Sequence, residues 1–201
     1  MAALYAQGEL KITEPEYSRD HTERMLQAFG VKLEIRGKEI SINNTGDLKL
    51  HAQEIEVPGD LSSAAFFIAA ALITPDSEII LRNVGINPTR DGFLKVVREM
   101  GARIELFNIR EKAGEPLADI RARTSTLKGI NIEGELIPAL IDELPLLAVL
   151  ASQAEGKTII KDAAELRVKE SDRISATVKG LRKLGVNVEE LADGMVIEGP
   201  D

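Results

Sequence analysis

The sequence predicts an α/β protein made of repeated βαβαββ units, an inverted arrangement with its most apolar helices inside and half-exposed strands outside. Three observations carry this. A block of amphipathic helix, glycine and alternating strand occurs three times; two further helices are apolar on every side; and cations recur at the starts of the repeated helices.

The repeat reads as follows. Arg-Asp-His-Thr-Glu-Arg-Met-Leu-Gln-Ala-Phe-Gly from Arg19 precedes Val-Lys-Leu-Glu-Ile, and Arg-Asp-Gly-Phe-Leu-Lys-Val-Val-Arg-Glu-Met-Gly from Arg90 precedes Ala-Arg-Ile-Glu-Leu. From Asp172 a third helix runs to Gly185 and is followed by Val-Asn-Val-Glu-Glu-Leu. Apolar residues at helical spacing, then glycine as a C-cap, then period-two alternation define each copy. Before the second copy come an apolar helix over 61–74 and a strand over 77–83; before the third come an apolar helix over about 141–153 and a strand over 157–162. Leading strands are expected at 54–57 and 129–133.

The helix beginning Ser63-Ser-Ala-Ala-Phe-Phe-Ile-Ala-Ala-Ala-Leu-Ile has no polar face, and Leu144-Pro-Leu-Leu-Ala-Val-Leu-Ala matches it. Such helices are expected to be buried on every side. That places helices inside, unlike a Rossmann sheet, and no Gly-x-Gly-x-x-Gly turn supports a dinucleotide site. Pro58-Gly59-Asp60 marks a boundary. Residues 1–57 are expected to be the end of one lobe, and 58–201 to be two complete units of another. Residues 2–6 read as a helix tail, and 195–199 as a strand with nothing after it to pair with, as in a piece of a longer protein.

Composition narrows the function. The 201 residues carry a formal net charge of −8, which argues against a nucleic-acid partner. There is no cysteine, hence no disulfide framework or thiolate chemistry, and a reducing cytoplasm fits best. His21 and His51 have no ligand spacing, so no metal site is expected, and both read as surface residues. The longest apolar run, 64–73, is too short to span a membrane.

The densest chemistry lies in Leu166-Arg-Val-Lys-Glu-Ser-Asp-Arg-Ile, which opens a helix over 171–184. If that helix begins near Lys169, then Lys169 and Arg173 stack four apart on one face, against both their mutual repulsion and the helix dipole. An anion held at the helix start would offset both costs. Glu170 and Asp172 could instead neutralise the cations as a solvated face. Arg19 and Arg90 occupy comparable helix starts, and each could pair with its neighbouring acid, Asp20 or Asp91, as Arg173 could with Asp172. Asp142, before an apolar helix, reads as an N-cap bonding the Leu144 amide or as a base beside the basic cluster. Asp60 reads as a cap.

These residues resemble the enolpyruvyl transferases, and among them the 5-enolpyruvylshikimate-3-phosphate synthases of the bacterial class II type. The resemblance rests on Ser18-Arg-Asp-His-Thr-Glu, Val57-Pro-Gly-Asp-Leu-Ser-Ser-Ala-Ala-Phe-Phe, Asn87-Pro-Thr-Arg, Leu136-Ile-Pro-Ala-Leu-Ile-Asp-Glu-Leu-Pro and the Leu166–Ile174 stretch. It implies two lobes of three βαβαββ units with helices inside. It also implies joining the 5-hydroxyl of shikimate 3-phosphate to C2 of phosphoenolpyruvate with loss of phosphate. By the same resemblance Asp142 is the base and Glu170 the acid, Lys169 and Arg19 contact shikimate 3-phosphate, and Arg173 clamps the phosphoenolpyruvate carboxylate. No cofactor is implied, and the full-length enzyme is expected to be a monomer. The family's N-terminal basic motif and its C-terminal His-Arg and lysine are absent, so this piece alone is expected to be inactive. The alternatives are the related UDP-N-acetylglucosamine enolpyruvyl transferases and a non-catalytic repeat module.

Overall fold

The structure is a computed structural model describing residues 1–15 and 17–200. After a 3-10 turn at Ala2–Leu4 come β1 (Gly8–Thr13), α1 (His21–Ala28), β2 (Leu33–Arg36) and β3 (Glu39–Asn44). The second unit comprises α2 (Leu61–Ile73), β4 (Glu78–Gly85), α3 (Gly92–Glu99), β5 (Arg103–Lys112) and β6 (Glu115–Arg123). The third comprises β7 (Asn131–Ile132), α4 (Leu144–Ala151), β8 (Lys157–Ile160), α5 (Arg173–Lys183), β9 (Asn187–Glu190) and β10 (Met195–Glu198).

The sheets repeat one plan. Their orders are β1-β3-β2, β4-β6-β5 and β7-β8-β10-β9, so the last strand of each unit lies between its two predecessors and pairs antiparallel with both. In the third unit β7 adds in parallel to β8. Its counterpart in the second unit is a single parallel bridge, Gly59 to Val84. The leading strand expected at 54–57 is therefore absent: that segment has no ladder partner among the described residues. The strand at the chain's end, β10, pairs with the two strands that precede it, β8 and β9.

The glycine C-caps are as expected. Gly30, Gly101 and Gly185 have φ of 92°, 95° and 83°, a left-handed geometry that costs glycine little and lets the chain turn at once into a strand. β1 carries little apolar signal, since all its residues but Leu10 are exposed.

Burial is uneven. The second and third units share one core in which Ile68, Phe93, Leu144, Leu147, Ile174 and Ile197 are among the residues fully out of solvent. In the first unit, among the described residues, the buried apolar cluster is only Ala3, Val31 and Ile42, and α1 has no buried residue. Enclosure of the apolar helices is also incomplete. α2 turns Ala65, Ile68 and Leu72 inward, but Ser63, Phe66, Phe67, Ala70 and Ile73 form an exposed stripe at helical spacing. Here the expectation of burial on every side fails, because β4, β6 and α4, the elements packed on α2, leave this stripe uncovered.

Candidate active site

α5 starts at Arg173, not at Lys169. Asp172 has an extended backbone and its carboxylate accepts from the Ser175 amide at 2.9 Å, making it the N-cap. The preceding residues 164–168 form a 3-10 turn ending at Lys169. Lys169 and Arg173 are therefore not stacked on one helical face. Arg167 secures this bend. Its guanidinium reaches Asp172 at 2.7 Å, Glu190 at 3.0 Å and the carbonyls of Leu191 and Ala192. The hydrogen bond that Arg167 donates to the Glu190 carboxylate chiefly holds the guanidinium in its charged form. Asp172 keeps a structural role, but as countercharge to Arg167.

With Asp172 occupied, Arg173 is free to turn outward at the first helical position. Its Nη1 lies 3.3 Å from Asp142 Oδ1, and its Nη2 donates to Glu170 Oε2 at 2.5 Å. From the first sheet, Arg19 Nη2 reaches Asp142 Oδ2 at 3.0 Å. Asp142 thus has an arginine on each oxygen, one of them 123 residues away in the chain. It is not the N-cap of α4; that position falls to Glu143, which makes no side-chain cap bond. The Glu143 carboxylate instead accepts from Ser62 on α2.

The neighbour pairings considered for the arginines do not form. Asp20 is taken by Arg24 at 2.8 Å and Asp91 by Lys95 at 2.6 Å, while Asp172 goes to Arg167. Arg90 turns back to Ser62 Oγ at 2.6 Å and Asp60 Oδ1 at 3.5 Å. Asp60 caps α2 through the Ser63 amide at 2.9 Å, as expected. Together Asp60, Arg90, Ser62 and Glu143 form a polar chain behind Asp142. Its sequence signal was the pair of carboxylates at 142–143 facing Ser62-Ser63 across the two apolar helices.

Lys169 is engaged by Glu165, four residues back. It still contributes, with Arg173, to the field at Glu170. That carboxyl is held below the usual glutamate range, first by the hydrogen bond from its own amide and then by the Arg173 guanidinium. Arg173 in turn is held more firmly charged by Glu170. The cluster brings Arg19, Asp142, Glu170 and Arg173 together, with Lys169 alongside. Beside it runs a groove of about 390 Å³ lined by Phe66, Pro145, Leu146, Val149 and Leu184, whose apolar walls offer an anion nothing. Among the described residues no group of His, Cys, Asp or Glu could hold a metal. No described helix is long and apolar enough to cross a membrane.

Repeated units with one strand order define an inverted α/β fold, one seen among enolpyruvyl transferases. A solved structure of the enolpyruvyl transferase NikO from Streptomyces tendae shares this fold, with a TM-score of 0.71 over 98% of this chain at 19% identity. Residues 1–201 match the profile of the EPSP synthase (3-phosphoshikimate 1-carboxyvinyltransferase) family, and the chain belongs to that family. It is 58% identical to the 3-phosphoshikimate 1-carboxyvinyltransferase of Persephonella marina, over 99% of this chain and 46% of that protein. Against the enzyme of Thermodesulfovibrio yellowstonii identity is 54%, over 100% of this chain and 46% of that one. EPSP synthase from Acinetobacter baumannii superposes with a TM-score of 0.94 at 48% identity, over 98% of this chain and 44% of that one. The chain therefore spans about half the length of the curated relatives it matches.

Proposed function

We propose that this chain supplies part of the active site of an enzyme that transfers the enolpyruvyl group of phosphoenolpyruvate to the 5-hydroxyl of shikimate 3-phosphate, releasing phosphate. The observation that carries the reading is the Asp142 carboxylate held between Arg19 and Arg173. A base that removes a hydroxyl proton must lie close to the groups that fix its anionic substrates, and Asp142 lies between two such arginines. In the proposal Asp142 accepts the proton as the hydroxyl oxygen bonds to C2 of phosphoenolpyruvate, and Glu170 donates a proton to the methylene carbon. Arg173 takes the phosphoenolpyruvate carboxylate by a bidentate contact, while Arg19 and Lys169 take shikimate 3-phosphate.

Glu170 carries the sharpest chemical consequence. Paired with Arg173 it is held ionised, which is wrong for a proton donor. A substrate carboxylate that draws Arg173 away would lift the share of that effect that Arg173 supplies, leaving the share from Glu170's own amide.

Within this chain Arg19, Lys169 and Arg173 face Asp142, Glu170 and Glu165, so the charges balance before any substrate arrives. Two multiply charged anions need more cations than this, and the isolated chain is expected to bind weakly and not turn over. The division near Pro58, a cytoplasmic setting and a monomeric full-length enzyme belong to the same proposal. The test is an amide NMR titration with shikimate 3-phosphate, with shikimate as control. Shifts confined to the surroundings of Asp142, Lys169 and Arg173, and dependent on the phosphate, are expected. No perturbation at millimolar ligand would sink the reading in favour of a binding module for other partners.

A further inference from the structure

The Asn87-Pro88-Thr89-Arg90 segment has no part in the chemistry above, yet Asn87 is only 3% exposed and its side-chain amide is fully used. Its Nδ2 donates to Asp20 Oδ1 at 2.7 Å, at the start of α1, and to Glu115 Oε2 at 3.1 Å, at the start of β6. Its Oδ1 accepts from the Thr89 amide at 2.8 Å and the Thr89 hydroxyl at 2.7 Å. The neighbouring contacts run the same way. His21 Nδ1 meets Glu115 Oε1 at 2.7 Å, and Arg24 joins Asp20 Oδ2 at 2.8 Å to the Gly114 carbonyl at 3.1 Å. Gly114 has φ 83°, and a Cβ there would lie 3.1 Å from the Arg24 carbonyl oxygen, so the β5–β6 turn meets α1 closely.

This polar seam joins the first sheet unit to the body formed by the other two. α1 has no fully buried residue, and its Leu26 packs only against the small cluster of its own unit, so that cluster does not tie α1 to the second. Arg19 immediately precedes Asp20, and its reach to Asp142 depends on where α1 starts. We propose that Asn87 is a positioning residue: by supplying both donors between the Asp20 and Glu115 carboxylates, it latches α1 to the second unit and sets Arg19 opposite Asp142. Without those donors, two carboxylates would face each other in a part-buried site, an arrangement that like-charge repulsion and desolvation disfavour. Asn87 itself touches no reacting atom. The proposal rests on the reading of Arg19 as a substrate contact, but its test uses no ligand, so the two can fail separately.

The chain has no cysteine, so a spin-label pair can be placed cleanly by Glu34→Cys on β2 and Lys183→Cys at the end of α5. Double electron–electron resonance on this labelled chain is expected to give one narrow distance distribution. Asn87→Asp, which keeps the shape but places a third carboxylate in the seam, should broaden or displace it by several ångströms. Adding Asp20→Asn restores one donor between the two positions while its oxygen still accepts from Arg24, and the narrow distribution should return. Glu115→Ala, at the turn, covers the case in which Asn87→Asp does not fold; it removes one partner and should broaden the distribution too. An unchanged distribution in a folded Asn87→Asp or in Glu115→Ala, or broadening that Asp20→Asn does not reverse, overturns the proposal.

Discussion

The second and third units follow one strand plan, yet the starts of α3 and α5 use the same residue types differently. At α3 the arginine comes before the cap position: Arg90 is turned back to Ser62 and Asp60, and Asp91 makes no cap bond. At α5 the aspartate caps and the arginine follows it, so Arg173 projects from the first helical turn toward Asp142 and Glu170. A displacement of two residues relative to the cap carries a side chain roughly 200° around the helix axis, at about 100° per residue. One arginine becomes a tie back to α2, and the other joins the Asp142–Glu170 cluster. Repeat symmetry sets where a helix begins, while the register of charge against the cap decides which partners that charge meets.

The two units differ at their helix starts but share a core, and the largest expected effect tests that sharing. Leu147 on α4 is fully buried in the common cluster. Leu147→Ala should cost about 2–5 kcal/mol, as large-to-small changes in closed cores do. Urea unfolding followed by two probes should show one earlier transition for both units; separate transitions would mean the units are independent. A smaller effect is expected from the cap of α2. Asp60→Ala removes the bond to the Ser63 amide and should cost about 1 kcal/mol, read as a lower urea midpoint with unchanged slope. Arg90 would lose one partner and keep Ser62.

Acid should weaken the third unit through the same groups that organise it. The Ser175 amide chiefly holds Asp172 below the usual aspartate range, and Arg167 adds to this. In the second unit the Asn108 side chain and the Asn83 amide do the same for Asp119, which ties the irregular stretches of β4 and β5 to β6. Folded-state values below the unfolded ones mean that this stability is fully present above about pH 4 and is lost as pH falls through the folded values. The urea midpoint should be flat from pH 7 to 5 and fall below pH 4. Asp119→Asn should make the acid limb shallower, and an acid limb identical to that of the unaltered chain would contradict its assigned role.

Local features were legible where one residue type has one physical job. The glycines at 30, 101 and 185 announced helix ends, and Asp60 announced a cap, because few residues serve at those positions. What escaped were matters of register and distance. The α5 start was misplaced because charge spacing around Lys169 imitates a helical face; the Asp172-x-x-Ser175 cap was the better guide. Asp142 looked like a cap because its apolar helix follows at once, but Arg19, 123 residues away, claims one of its oxygens. No local pattern encodes that meeting. The open stripe on α2 escaped for a related reason: a helix apolar all round announces that partners exist, not which of its faces they cover within this chain.

The finest test of the contrast between the two helix starts is the titration of Glu170. Its carboxyl is held below the ordinary glutamate value first by its own amide, which no side-chain substitution removes, and then by Arg173. Arg173→Ala should therefore raise the Glu170 value part of the way toward that of a free glutamate, as read from its carboxyl carbon shift against pH. Arg90→Ala, the change at the equivalent place in the second unit, should leave Glu170 where it is. If both substitutions move it alike, the field at the site is a property of the whole repeat rather than of the arginine's place after the cap. If only Arg173→Ala moves it, the field at Glu170 is set by the arginine's place after the cap, and the register difference between the two units is what separates the two helix starts.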